Sequence, residues 1–117
     1  MTRKEALAEL IEKVEAGNAD GRCRLTAKAF SQSVPHSFVW AAMDGSLDAA
    51  KALHEAVLPE TGWDIFKTGE YPGMIPGSSA YMFAARVGYG TTYRGDDDNP
   101  ARAWLIAILR ALHAQDP

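Results

Sequence analysis

The chain has one cysteine, Cys23, among 117 residues. A single thiol excludes an internal disulfide and a thiolate metal cluster, and Cys23 is expected to be a small buried hydrophobe. Long apolar runs are missing as well. No stretch is long enough for a signal peptide or a bilayer span, so the expected compartment is the cytoplasm and no membrane contact is expected. Positive charge is in deficit: 12 Lys and Arg stand against 15 Asp and Glu, a net charge of −3. Such a surface attracts phosphate backbones weakly, and no strong nucleic-acid binding is expected.

Catalytic and metal motifs are also missing. His36, His54 and His113 are far apart, and none has a second histidine at zinc-ligand spacing. Ser31, Ser33, Ser37, Ser78 and Ser79 have no nucleophile-elbow context. Gly69, Gly73 and Gly77 lie in a proline-containing loop with no strand-to-helix setting, so they make no nucleotide loop. Asp96, Asp97, Asp98 and Asn99 crowd several oxygens together. The alternating ligands, central glycine and distant glutamate of a calcium loop are absent, and the run reads as a solvated turn before a helix. No catalytic residue, cofactor or metal ligand is therefore assigned. A small hydrolase built from distant Ser, His and Asp residues is the enzymatic alternative, because triads follow geometry and not chain order.

What is present is an ordinary hydrophobic content, 47%, in a length that suits one domain with a single moderate core. The strongest periodic segment is the last, Pro100 to Gln115. Asn99 is its N-cap and Pro100 takes the first helical position. Ala101, Leu105, Ile108 and Leu112 share one face, widened by Trp104 and Leu109. Arg102, Arg110 and His113 lie opposite, with Ile106 among them as an apolar residue on an exposed side.

At the other end, Thr2 and Glu5 form a capping box, and Leu7, Leu10, Ile11 and Val14 make an amphipathic stripe. Glu9 and Lys13 are spaced as a helical ion pair, and Gly17-Asn18 closes the helix. Asp20 caps a second, shorter helix through Leu25, Ala29 and Phe30, which Gly21 and Thr26 weaken. Ser31 to Pro35 is a loop. Phe38 to Met43 fits a helical turn or a strand, with Trp40 as a core anchor. After the Asp44-Gly45 turn, Ser46 caps a helix that ends at Pro59, with Leu47, Ala50, Leu53 and Val57 on one face.

Three strands follow: Trp63 to Thr68, Ala80 to Val87, and about Thr91 to Arg94. Trp63, Ile65 and Lys67 face one way and Phe66 the other. Consecutive strands with short connections form an antiparallel meander. The predicted fold is α+β, a three-stranded antiparallel sheet packed with helices in the order α-α-α-β-β-β-α. Residues 1–45 are a helical lead-in and 46–115 an αβββα core of one domain, 1–117. The helices beginning at Ser46 and Pro100 are expected to cover one sheet face. The first helix or a partner subunit covers part of the other.

The runs Ser46-Leu47-Asp48-Ala49-Ala50-Lys51-Ala52-Leu53, Gly62-Trp63-Asp64 and Asn99-Pro100-Ala101-Arg102-Ala103, continuing through Leu112, resemble the phage ABA-sandwich domain. The resemblance covers nearly the whole chain, since a helical lead-in like residues 4–30 is usual there. It implies a phage or prophage origin, a bacterial host cell and an ABA-sandwich-like fold, and it supplies no catalytic residues. The αβββα order is also that of the double-stranded-RNA-binding fold. That fold meets phosphate with lysines where this chain has Asp96-Asp97-Asp98-Asn99, the wrong sign for the ligand. A nucleic-acid role would need a basic stripe assembled from Arg86, Arg94 and Arg102. The reading is a non-catalytic accessory or protein-interaction module.

The loop from Gly69 to Ser79 is long for a compact domain, and such loops are often functional. Met74 and Ile75 occupy places where polar residues are usual. Either they fold back on the sheet edge, or Tyr71, Met74 and Ile75 form a contact patch for a protein partner or a second subunit. If the patch is a contact, the double substitution Met74→Ser, Ile75→Ser lowers the association state in size-exclusion chromatography without unfolding the monomer. Unchanged elution and unchanged stability refute the contact.

Overall fold

The computed structural model describes residues 1–67, 82–88 and 90–116. The first helix, α1 (Arg3–Glu15), begins at the expected capping box: the Thr2 hydroxyl accepts from the Glu5 amide at 3.1 Å, and the Glu5 carboxylate accepts from the Thr2 amide. Leu7, Leu10 and Val14 are buried. Glu9 does not hold Lys13; its carboxylate lies 3.9 Å from Arg24 on the next helix. Gly17, at φ +69°, turns the chain out of α1.

The second helix, α2 (Arg22–Ala29), starts one residue later than predicted. Gly21 is its N-cap, at φ +75°, while the Asp20 amide donates to Asn18 Oδ1. Only glycine enters this left-handed conformation freely, and that moves the helix start past Asp20. Thr26, expected to weaken the helix, is fully buried. Its hydroxyl donates to Arg22 O at 2.6 Å and accepts from Trp40 Nε1 at 3.2 Å. Cys23 is exposed, contrary to expectation, because α2 turns Leu25, Thr26 and Ala29 inward and leaves position 23 outside.

The ambiguous apolar run is a helix, α3 (His36–Met43), started by Pro35 as N-cap. It adds a fourth helix ahead of the strands. Val39, Ala42 and Met43 are its buried side, and Trp40 is only half buried, under the Arg22 guanidinium. Ser46 caps α4 (Leu47–Val57) by accepting from Ala49 N. The buried stripe of α4 is rotated from the predicted one. Ala49, Ala50, Leu53 and His54 are inside, and Leu47 is 43% exposed.

Strands β1 (Trp63–Lys67), β2 (Phe83–Val87) and β3 (Tyr93–Asp97) form one antiparallel sheet in the order β1-β2-β3, the predicted meander. Trp63 pairs with Val87 and Val87 with Tyr93; Ile65 pairs with Ala85 and Ala85 with Gly95. Strand β3 starts later than predicted and takes in Asp96 and Asp97, which pair with Ala84 and Phe83. The ladder to β2 therefore consumes half of a stretch that reads as a turn. It also sends adjacent aspartates to opposite faces.

The last helix, α5 (Pro100–Gln115), has the predicted bounds and cap. Asn99 Oδ1 accepts from the amides of Ala101 and Arg102 at 2.9 and 3.1 Å. Its burial exceeds the predicted face: Ala101, every residue from Ala103 to Leu109, Ala111 and Leu112 are buried. Ile106 is 1% exposed. The sheet lies on that side, with β3 and β2 against α5, while α1, α4 and α3 pack around the rest of the helix. So wide an apolar surface needs cover on most sides, and Arg102, Arg110 and His113 mark the part of α5 that stays at the surface.

This corrects the predicted layering. Helix α5 covers the inner sheet face. Helix α4 sits beside α5 on α3 and reaches the sheet through the His54–Trp63 ring contact. Helix α1 packs on α5 and α2, behind α5 as seen from the sheet. The overall class is α+β, as predicted. Among the described residues no helix is long and apolar enough to cross a membrane.

Gly95 makes the contact between β3 and α5 possible. A Cβ there would collide with Ala103 O, lie 2.6 Å from Ala107 N and 2.8 Å from the Ile106 Cβ. Backbone cannot yield as a flexible side chain can, so Gly95→Ala should destabilise the fold by about 3 kcal/mol, the upper range for overpacking. Urea unfolding followed by circular dichroism measures this. A loss below about 1 kcal/mol would mean that the helix–sheet contact adjusts freely.

Candidate functional site

His54 is the most deeply buried titratable side chain among the described residues. Helix α4 carries it toward α5, where Trp104 Nε1 donates to its Nδ1 at 3.2 Å. Its Nε2 lies 2.8 Å from Thr61 O. An indole N–H can only donate and a carbonyl can only accept, so Nε2 carries the ring proton and Nδ1 is the acceptor. Trp63 stacks on Trp104 with centroids 4.2 Å apart. Both imidazole nitrogens are thus spent on structure, and neither faces a substrate.

The other candidates stay apart. His36 Nε2 is 3.3 Å from the carbonyl of Ser31, not from its hydroxyl. The Ser31 and Ser33 hydroxyls bond to each other at 2.7 Å. No group of three or more His, Cys, Asp or Glu side chains able to hold a metal occurs among the described residues. Tyr71, Met74, Ile75, Ser78, Ser79 and the loop glycines lie outside the described residues.

The acidic run is not a solvated turn throughout. Asp97 is buried; its Oδ1 accepts from Arg102 Nε at 3.0 Å and from the Asn99 amide at 2.9 Å. Asp98 accepts from the Met82 amide. Asp96 holds Arg94 through two bonds of 2.8 and 2.9 Å, and that hydrogen bonding, more than charge alone, raises the Arg94 pKa above its ordinary value. A repeated aspartate gives no sequence signal of three different partners, because those partners come from β3, from α5 and from Met82 just ahead of β2.

Arg86, Arg94 and Arg102, the positions a basic stripe would need, are each held by a carboxylate: Asp64, Asp96 and Asp97. On the outer sheet face Arg86 and Arg94 also lie over the Phe66 ring, at 5.2 and 5.6 Å. The arginines are there, but the field that would draw a phosphate backbone is cancelled locally.

Among the described residues, a concavity at the C-terminal end of α5 combines apolar lining with two cations that have no carboxylate within ion-pair distance. It has a volume of about 520 Å³, within the range that holds a small ligand or a few side chains. Phe30 and Val34 from the α2–α3 connection, Ala56 and Val57 from the end of α4, and Leu112 of α5 supply its apolar lining. Arg3, Lys28, Ser31 and Ser33 supply the polar part. Four separated segments build it, so no local motif announces it. A smaller cavity of about 270 Å³ lies between Lys13, Met43 and Arg102. There Asp44 is matched by Arg22 and Arg102 by Asp97, while Lys13 has no carboxylate within ion-pair distance among the described residues.

A structural role for the His54 cluster has a direct check. Trp104→Phe removes the donor to Nδ1 and leaves a buried acceptor unsatisfied, so stability should fall by about 2 kcal/mol in urea unfolding. Trp63→Phe keeps that bond and should cost less than half as much. Equal losses would mean that ring stacking, not the hydrogen bond, holds the cluster. In comparisons with family models, with curated proteins and with solved structures, the chain finds no match.

Proposed function

We propose that the chain is a non-catalytic interaction module of phage or prophage origin, which binds a segment of another protein in the groove between α2, α4 and α5. The observation that carries this reading is the groove itself: an apolar floor from several elements, with no histidine or carboxylate among the described residues that line it. General acid–base work needs a titrating pair within reach of one substrate position. Here the buried histidine is bonded at both nitrogens, and Asp97 is held by Arg102 and Asn99. Such a site favours binding over turnover. Support for the origin is the resemblance to the phage ABA-sandwich domain, whose motif residues take structural posts: Ser46 caps α4, Trp63 opens β1 and Asn99 caps α5.

The test is calorimetric titration of the chain against the proteins encoded beside it, with Ala56→Glu as the groove variant. Ala56 is exposed, so a carboxylate there costs the fold only a few tenths of a kcal/mol near the α4 C-terminus. At least one neighbour-encoded protein should bind, and the variant should bind it about tenfold or more weakly. Binding that is absent throughout, or unchanged in the variant, overturns the reading.

A further inference from the structure

We propose that the groove selects a partner segment in which apolar side chains are flanked by carboxylates; this rests on the interaction reading above. The argument is one of charge accounting. The chain has seven arginines and an excess of acid. Among the described residues, Arg22, Arg24, Arg86, Arg94, Arg102 and Arg110 each lie within ion-pair distance of an Asp or Glu of the same chain. Arg3 is the exception. Its guanidinium is nevertheless positioned: Nε donates to Ala29 O at 2.8 Å, which fixes it at the groove lip and closes the C-terminus of α2. Lys28, one residue before Ala29, adds a second cation on the same lip; like Lys4 and Lys13, which do not line the groove, it has no carboxylate within ion-pair distance among the described residues.

Two unmatched cations beside Phe30, Val34, Val57 and Leu112 make a surface of mixed character. An apolar ligand would gain nothing from the cations. A purely anionic ligand would leave the floor wet. A peptide with apolar anchors and adjacent Asp or Glu side chains satisfies both, and the paired Ser31 and Ser33 hydroxyls offer polar contacts at the same lip. Charge complementarity thus points away from a second copy of this chain binding through the same lip, where cation would meet cation.

Three labelled peptides of about twelve residues, long enough for a grooved segment, test the inference by fluorescence anisotropy. They share the same leucine positions, and the flanking positions are all Glu, all Gln or all Lys. The expected order of affinity is Glu over Gln over Lys, with about a fivefold step between Glu and Gln at low salt that shrinks as salt is raised. Lys28→Glu should abolish or reverse the preference. It changes an exposed side chain, and its melting curve serves as the folding control. If all three peptides bind alike and Ala56→Glu weakens them, the charge selection is wrong and the interaction reading stands. If no peptide binds while a neighbour-encoded protein still does so through Ala56, the acidic–apolar segment is the wrong occupant. If neither binds, both readings fail. Self-association lost in Ala56→Glu, or Lys28-dependent sedimentation with phosphatidylglycerol vesicles, would identify a different occupant and overturn the proposal.

Discussion

The structure depends on how closely a strand backbone approaches a helix backbone. Gly95 of β3 lies against Ala103, Ile106 and Ala107 of α5. With small residues at 95, 103 and 107 the sheet settles onto a helix side that otherwise would need water. Dispersion and burial both reward that approach, since a gap of even part of an ångström forfeits much of the contact energy. The sheet takes up that side of α5, and the remaining sides receive α1, α3 and α4. The helical lead-in is thereby part of the same core as the sheet, not an appendage to it.

Polar groups follow the packing. No buried side-chain nitrogen or oxygen among the described residues lacks a hydrogen-bond partner. Thr26 and Trp40 join α2 to α3, His54 and Trp104 join α4 to α5, and Asp97 and Arg102 join β3 to α5. Each pair bridges two elements, so each acts on how elements are placed and not on a single helix. Arg110 does the same at the surface, reaching Arg94 O and Glu15 from one guanidinium. Among the described residues six of the seven arginines have a carboxylate within ion-pair distance, and Arg3 does not. Exposed pairs contribute little to stability, so pairing is not required of Arg3 or of Lys28. What matters is that the two lie together on an apolar groove.

Among the described residues the buried polar groups are satisfied, and a groove of mixed apolar and basic lining lies at the C-terminal end of α5. The buried His54 is hydrogen-bonded within the fold at both ring nitrogens, and the buried Asp97 at Oδ1. The groove is assembled from the ends of helices, where backbone carbonyls and loop hydroxyls are available beside apolar side chains.

Local chemistry alone determined much of this protein. The capping box at Thr2, the caps at Ser46 and Asn99 and the span of α5 are set by neighbours in the chain, through hydrogen bonds and periodicities a few residues long, and the meander follows from strands that are consecutive along it. Tertiary structure decided the rest. Ile106 reads as misplaced until β3 is seen to cover it, and the Asp96–Asp97 run reads as a turn until β2 offers it a ladder. Leu47 and Cys23 have apolar character but face outward, because the sides of α4 and α2 that pack are chosen by the helices they meet. The groove was illegible for the same reason. Its lining comes from positions 3, 28–34, 56–57 and 112, and no pattern along the chain joins residues that only packing brings together.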